Sequence, residues 1–115
     1  MLKEIVKQIE DSYYWDARVK ALECNYFGDE VKLIFEDDKR DVLYHFEKCY
    51  KIKIEHAFEC PKDIPSKKLT VAQIPYFMQD VELNEITVSD KKYMEFRINM
   101  HPIELYVVCE KINIS

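Results

Sequence analysis

Asp41-Val42-Leu43-Tyr44-His45-Phe46-Glu47-Lys48-Cys49-Tyr50-Lys51-Ile52-Lys53-Ile54-Glu55-His56-Ala57-Phe58 is the stretch whose reading decides the fold. Val42, Tyr44, Phe46, Tyr50, Ile52, Ile54 and Phe58 share one parity, and a period of two places them on one face of an extended strand. Lys48 interrupts that face, and the stretch exceeds the roughly five or six residues of an average strand. A bulge or bend is therefore predicted near Glu47 to Cys49. A strand with one apolar face needs other strands beside it and a second layer against it.

Both neighbouring regions supply such strands. Upstream, Val31, Leu33 and Phe35 alternate with Glu30, Lys32 and Glu36, and Asp37-Asp38-Lys39-Arg40-Asp41 reads as a polar turn. Arg18 to Cys24 is a further strand, joined through Gly28, the one glycine of the chain, which the sequence assigns to a left-handed turn position. Downstream, Pro61, Pro65 and Pro75 with Lys62, Lys67 and Lys68 mark residues 59–75 as a long wet loop. Val81 and Leu83 share one parity while Ile86 and Val88 share the other, which predicts a bulge or break at Asn84-Glu85. After a turn at Ser89-Asp90-Lys91-Lys92, Met94, Phe96, Ile98 and Met100 alternate against Glu95, Arg97 and Asn99, and His101-Pro102 turns the chain into a last strand.

The beginning follows a different period. Leu2, Ile5, Val6, Ile9 and Tyr13 recur at helical spacing, with Lys3, Glu4, Lys7, Gln8 and Glu10 on the other side. The expected architecture is α+β, mainly β: an N-terminal helix packed on an antiparallel sheet or small sandwich of five to six strands. Residues 1–115 are expected to form a single domain, with the helix over about 2–14. Strands are expected over about 17–25, 30–36, 42–58, 77–88, 93–100 and 103–114.

Composition narrows the functional classes. Apolar residues make up 48% of the chain, enough for a real core without metal or disulfide staples. The 22 acids outweigh 17 bases for a net charge of −5, which argues against nucleic acid as a partner, because a phosphate binder needs a concentrated basic face. No apolar run of signal-peptide or membrane-spanning length opens the sequence. Cys24, Cys49, Cys60 and Cys109 are widely spaced with no Cys-x-x-Cys pair, so four reduced thiols in a cytoplasmic protein are expected, with no membrane association.

A single glycine cannot build a phosphate-cradling P-loop or a dinucleotide fingerprint. His45, Cys49, His56 and Cys60 carry zinc-ligand side chains, but on an extended strand His45 and Cys49 lie roughly 13 Å apart, with His56 and Cys60 on the opposite parity. No metal site, cofactor or catalytic residue is assigned. Asp37-Asp38 and Glu82/Glu85 are carboxylates close in sequence, but acid catalysis would require desolvation to raise a carboxyl pKa, and Asp37-Asp38 in a polar turn read as solvated turn residues. In Tyr13-Tyr14-Trp15-Asp16 the aromatics could form an exposed anchor, but the sequence favours Tyr13 and Trp15 pinning the helix to the sheet.

Trp15-Asp16-Ala17-Arg18-Val19, then a strand, a glycine turn and Val31-Lys32-Leu33-Ile34-Phe35, with Pro75-Tyr76-Phe77-Met78-Gln79-Asp80-Val81 ahead of a later strand, form a recognisable layout. It resembles small bacterial immunity proteins, which are encoded beside polymorphic or contact-dependent toxins and neutralise them by direct binding. The resemblance implies a protein partner, the cognate toxin, with no catalysis and no cofactor. On that reading Asp37, Asp38, Asp80, Glu82 and Glu85 are the candidate contacts with a basic toxin surface. Two alternatives stand beside it. One is an adaptor or homodimer pairing through a sheet edge or aromatic patch. The other is a ligand pocket lined by Tyr44, Phe46, Tyr50 and His56.

Overall fold

A computed structural model describes residues 2–36, 40–56 and 76–115. The expected proline-rich loop over 59–75, together with Asp37, Asp38, Phe58 and Cys60, lies outside the described residues.

The described residues form one α-helix, α1 (Leu2–Asp11), and six strands: β1 (Arg18–Asn25), β2 (Glu30–Glu36), β3 (Asp41–His56), β4 (Asp80–Val88), β5 (Lys91–Met100) and β6 (Ile103–Ile114). All strands join a single antiparallel sheet in the order β1-β2-β3-β6-β5-β4. Of the two layouts the sequence allowed, it is the sheet and not the sandwich. Two three-stranded meanders meet along β3 and β6, whose pairing runs from Tyr44↔Ile114 to His56↔Ile103. The expected irregularity in β3 is present: Lys48 has a φ of 52°, and the register shifts between Cys49 and Lys51. The break anticipated at Asn84-Glu85 is absent, because β4 pairs with β5 from Asp80↔Asn99 to Val88↔Lys91 without a shift. The change of parity there means that Ile86, opposite Tyr93, lies on the other face of an unbroken strand.

The sheet curls, and its two outer edges meet at one corner. Val19 N–H donates to Tyr76 O and Met78 N–H to Ala17 O, while Gln79 N–H donates to Asn99 O at 2.9 Å. Residues 76–79 thus bridge the outer edge of β1 to β5. Inside the curl lie the periodic residues of the deciding stretch and its neighbours: Val31, Leu33, Phe35, Val42, Tyr44 and Phe46 are all 0% exposed. Phe35, Tyr44, Phe46 and Phe96 meet edge to face in succession, at centroid distances of 5.1, 6.4 and 5.0 Å. Each such contact adds about 0.5–1.5 kcal/mol beyond the area it buries.

The helix is fastened by its last turn. Ile9 is buried, and the Ser12 hydroxyl donates to Ile9 O at 2.5 Å and shares a 2.6 Å hydrogen bond with the Tyr44 hydroxyl. Tyr13 then takes a left-handed φ of 48°, which breaks the helical phase. The consequence reverses the expected aromatic roles. Tyr14 is buried at 6% exposure, whereas Tyr13 and Trp15 are 67% and 53% exposed. Trp15 stacks on Tyr14, at 4.3 Å between centroids.

Candidate protein-binding surface

Two surface regions and one ion-paired cluster carry the candidate chemistry. The first region is a shallow depression of about 500 Å³ that crosses β3, β6, β5 and β4. Asp80 and Glu82 border it on the edge strand, facing Lys51, Lys53 and Arg97, with Tyr106 at its centre. The Arg97 guanidinium lies 4.8 Å from the Tyr106 ring centroid, and the Tyr106 hydroxyl donates to Glu95 at 2.6 Å. Hydrogen bonding to that carboxylate, reinforced by burial, raises the Tyr106 pKa above its ordinary value. Among the described residues Asp80 and Glu82 form no ion pair, so their charge is available to a partner.

Alternation separates Glu85 from these two acids. It occupies the other parity of β4, opposite Met94, and its carboxylate lies 3.8 Å from Lys92. The structure therefore brings Asp80 and Glu82 together, places Glu85 elsewhere on the same strand, and leaves Asp37 and Asp38 outside the described residues.

The second region is the corner between β1 and β2. Tyr26–Gly28 form a single 3-10 turn there, with φ values of 53°, 58° and 99°. The sequence assigned a left-handed conformation to Gly28, and its aromatic neighbours share it. Tyr26 and Phe27 project into solvent at 69% and 111% exposure.

His45 belongs to a cluster that strand spacing alone did not suggest. Its Nε2 lies 2.6 Å from Glu30 and its Nδ1 3.4 Å from Glu47, which also meets Lys111 at 3.5 Å and accepts from Asn113 at 3.3 Å. The three side chains lie close enough to share an ion. However, the two carboxylates address opposite ring nitrogens, and a metal takes one imidazole nitrogen. The arrangement as it stands is a surface network of polar contacts, with Lys111 and Glu47 as its ion pair. His56 sits at the far end of β3, roughly 35 Å from His45 by strand rise, and its Nε2 lies 2.8 Å from the Tyr76 hydroxyl. The ligand pocket considered from Tyr44, Phe46, Tyr50 and His56 does not form, because Tyr44 and Phe46 are core while Tyr50 is 57% exposed.

The Cys49 and Cys109 thiols are poor nucleophiles. Burial pushes Cys49 up to about 11 and Cys109 up to about 12, and at neutral pH the reactive thiolate is then rare. Cys24 is exposed. In a Cys60→Ser variant at pH 8, a maleimide is expected to label Cys24 within minutes, and Cys109 only as fast as the protein opens. Mass spectrometry of the time course checks this, and equal rates for Cys24 and Cys109 would contradict it.

Among the described residues no helix is long and apolar enough to cross a membrane. The fold resembles the crystal structure of an uncharacterized protein from Neisseria gonorrhoeae, with a TM-score of 0.59 and 17% identity, covering 89% of this chain and 92% of that one. At that identity the likeness shows the fold alone. No curated protein matches the chain significantly. The family model described as Immunity protein PIM7 matches residues 1–115, and the chain belongs to that family.

Proposed function

We propose that this protein neutralises a cognate bacterial toxin by binding it directly, acting in the cytoplasm as a stoichiometric inhibitor and not as a catalyst. The family match across residues 1–115 carries the reading. The surface chemistry supports it: the described residues include charged and aromatic surface patches. On this reading the depression bordered by Asp80 and Glu82 meets a basic surface of the toxin, and the net charge of −5 steers the encounter. Neither nucleic acid nor a bound cofactor takes part.

Co-expression with the toxin encoded by the adjoining gene tests the reading. Growth is expected to recover, and the two chains should co-elute in a defined ratio on gel filtration. Continued toxicity with no complex would refute it.

A further inference from the structure

We propose that the Tyr26–Gly28 corner anchors the toxin interface, its aromatic tip entering an apolar recess rimmed by basic side chains on the toxin domain. This rests on the immunity reading above. The argument begins with a conflict between residue and backbone. Left-handed φ values suit glycine or asparagine, and two consecutive aromatic residues at 53° and 58° are poor occupants of such a turn. Phe27 gains nothing from burial in return, being 111% exposed. Neither backbone preference nor packing accounts for a phenylalanine there, whereas binding does.

The corner is also held in place. Asp29 N–H donates to Tyr26 O at 3.2 Å, and Asp29 O accepts from Cys49 N–H at 3.0 Å, where β3 departs from regular pairing. Gly28 sits against Ile52, so close that an added Cβ would lie 3.3 Å from the Ile52 Cδ1. A tip fixed before binding has little conformational freedom left to lose. Beside it Tyr50 and Ile54 are 57% and 43% exposed, and they border a hollow of about 470 Å³ with Phe27, Gly28 and Ile52. Aromatic side chains bury about 150–250 Å² each. Tyr50 is packed on Tyr93, at 5.1 Å between ring centroids, so Tyr26 and Phe27 carry the tip and would supply roughly a third to a half of the roughly 800 Å² that one partner contributes to a standard interface.

Charge defines the recess. Asp29 borders the hollow and Glu23 is exposed on β1 nearby, while Glu30 is engaged by His45 and Lys51 closes the far side, so the acidic charge at the tip is that of Asp29 and Glu23. Lys51 borders both this hollow and the depression with Asp80 and Glu82, while strand alternation puts Ile52 and Ile54 on the opposite face of β3 from Lys51 and Lys53.

The test uses the intact protein and a catalytically inactive form of the toxin domain encoded by the adjoining gene, with binding followed by biolayer interferometry. Phe27→Ala is expected to weaken binding about 30-fold or more, mainly through faster dissociation. Phe27→Gly should weaken it equally while raising the melting temperature, since glycine relieves the backbone. Phe27→Tyr, which keeps both ring and strain, should bind within about threefold of wild type, well short of the loss expected of a hot spot. If the wild-type protein fails to bind, the immunity reading fails and the anchor with it. If it binds and Phe27→Ala binds equally, the immunity reading stands and the anchor is overturned. Should the free protein dimerise through this tip, with Phe27→Ala becoming monomeric at unchanged toxin affinity, the occupant is a second copy and the proposal is again overturned.

Discussion

Tyr44→Ala is expected to destabilise the protein by about 3–5 kcal/mol, as large aromatic truncations in packed cores do. Domains of this size are stable by only about 5–15 kcal/mol, so the variant forfeits between about a fifth and all of that stability. The ring is 0% exposed and touches Phe35 and Phe46 edge to face, and its hydroxyl holds Ser12 at the end of α1. Truncation therefore opens a cavity and releases the helix together. Tyr44→Phe separates these effects. It keeps the ring and removes one hydrogen bond, while Ser12 still donates to Ile9 O, so the loss should be nearer 1 kcal/mol. Urea denaturation of the three proteins checks this, and equal losses for the two variants would show that the hydroxyl, not the packing, matters.

Tyr44 also gives the protein an alkaline limit. Burial raises its pKa to about 12, against the partial opposition of the Ser12 hydrogen bond. The folded state thus holds the proton more tightly than the unfolded chain, whose phenol titrates near 10. The resulting stability is intact below about pH 10 and is lost as pH rises through the folded value. Tyr44→Phe should remove this part of the loss and leave that from Cys49 and Cys109.

The sequence was most informative where a period of two met burial. Val31, Leu33, Phe35, Val42, Tyr44 and Phe46 were legible as core because alternation commits a whole face at once. The helix was legible for the same reason at its own period, but its end was not. One residue in a left-handed conformation, Tyr13, rotated the following side chains, so Tyr14 went inward in place of Tyr13 and Trp15. Nothing in single-residue propensity announces such a reversal.

Sites proved harder to read than strands. Glu30 meets His45 only because β2 lies beside β3 with Lys32 opposite His45, and that register is a tertiary fact. Asp80 and Glu82 could be picked out as acids, and their parity against Glu85 was visible in principle. The depression they share with Lys51 and Lys53 was not visible, because it needs β6 and β5 between β3 and β4. Phe27 carries no signal of its own in the sequence, because the glycine beside it already accounts for a turn.

Reversing charge in the depression should change the rate of toxin capture more than any other surface substitution. Asp80→Lys combined with Glu82→Lys shifts the net charge from −5 to about −1 and concentrates the change where the partner is proposed to approach. Association is expected to slow about ten- to a hundredfold at low salt, with dissociation altered less. Raising salt should close the gap, since the screening length falls from about 10 Å at 0.1 M to about 3 Å at 1 M. Glu82 stands opposite Arg97, so lysine there faces a like charge and can lower stability by a few tenths of a kcal/mol up to about 1. Glu82→Gln separates that effect, because it removes the attraction without adding repulsion. Glu85→Lys supplies the positional comparison. It changes charge on the same strand but the opposite parity, beside Lys92, and should slow association far less. Stopped-flow association across a salt series distinguishes the outcomes. Equal slowing by Glu85→Lys and Glu82→Lys would mean that overall charge steers the encounter and that the depression has no special part in it.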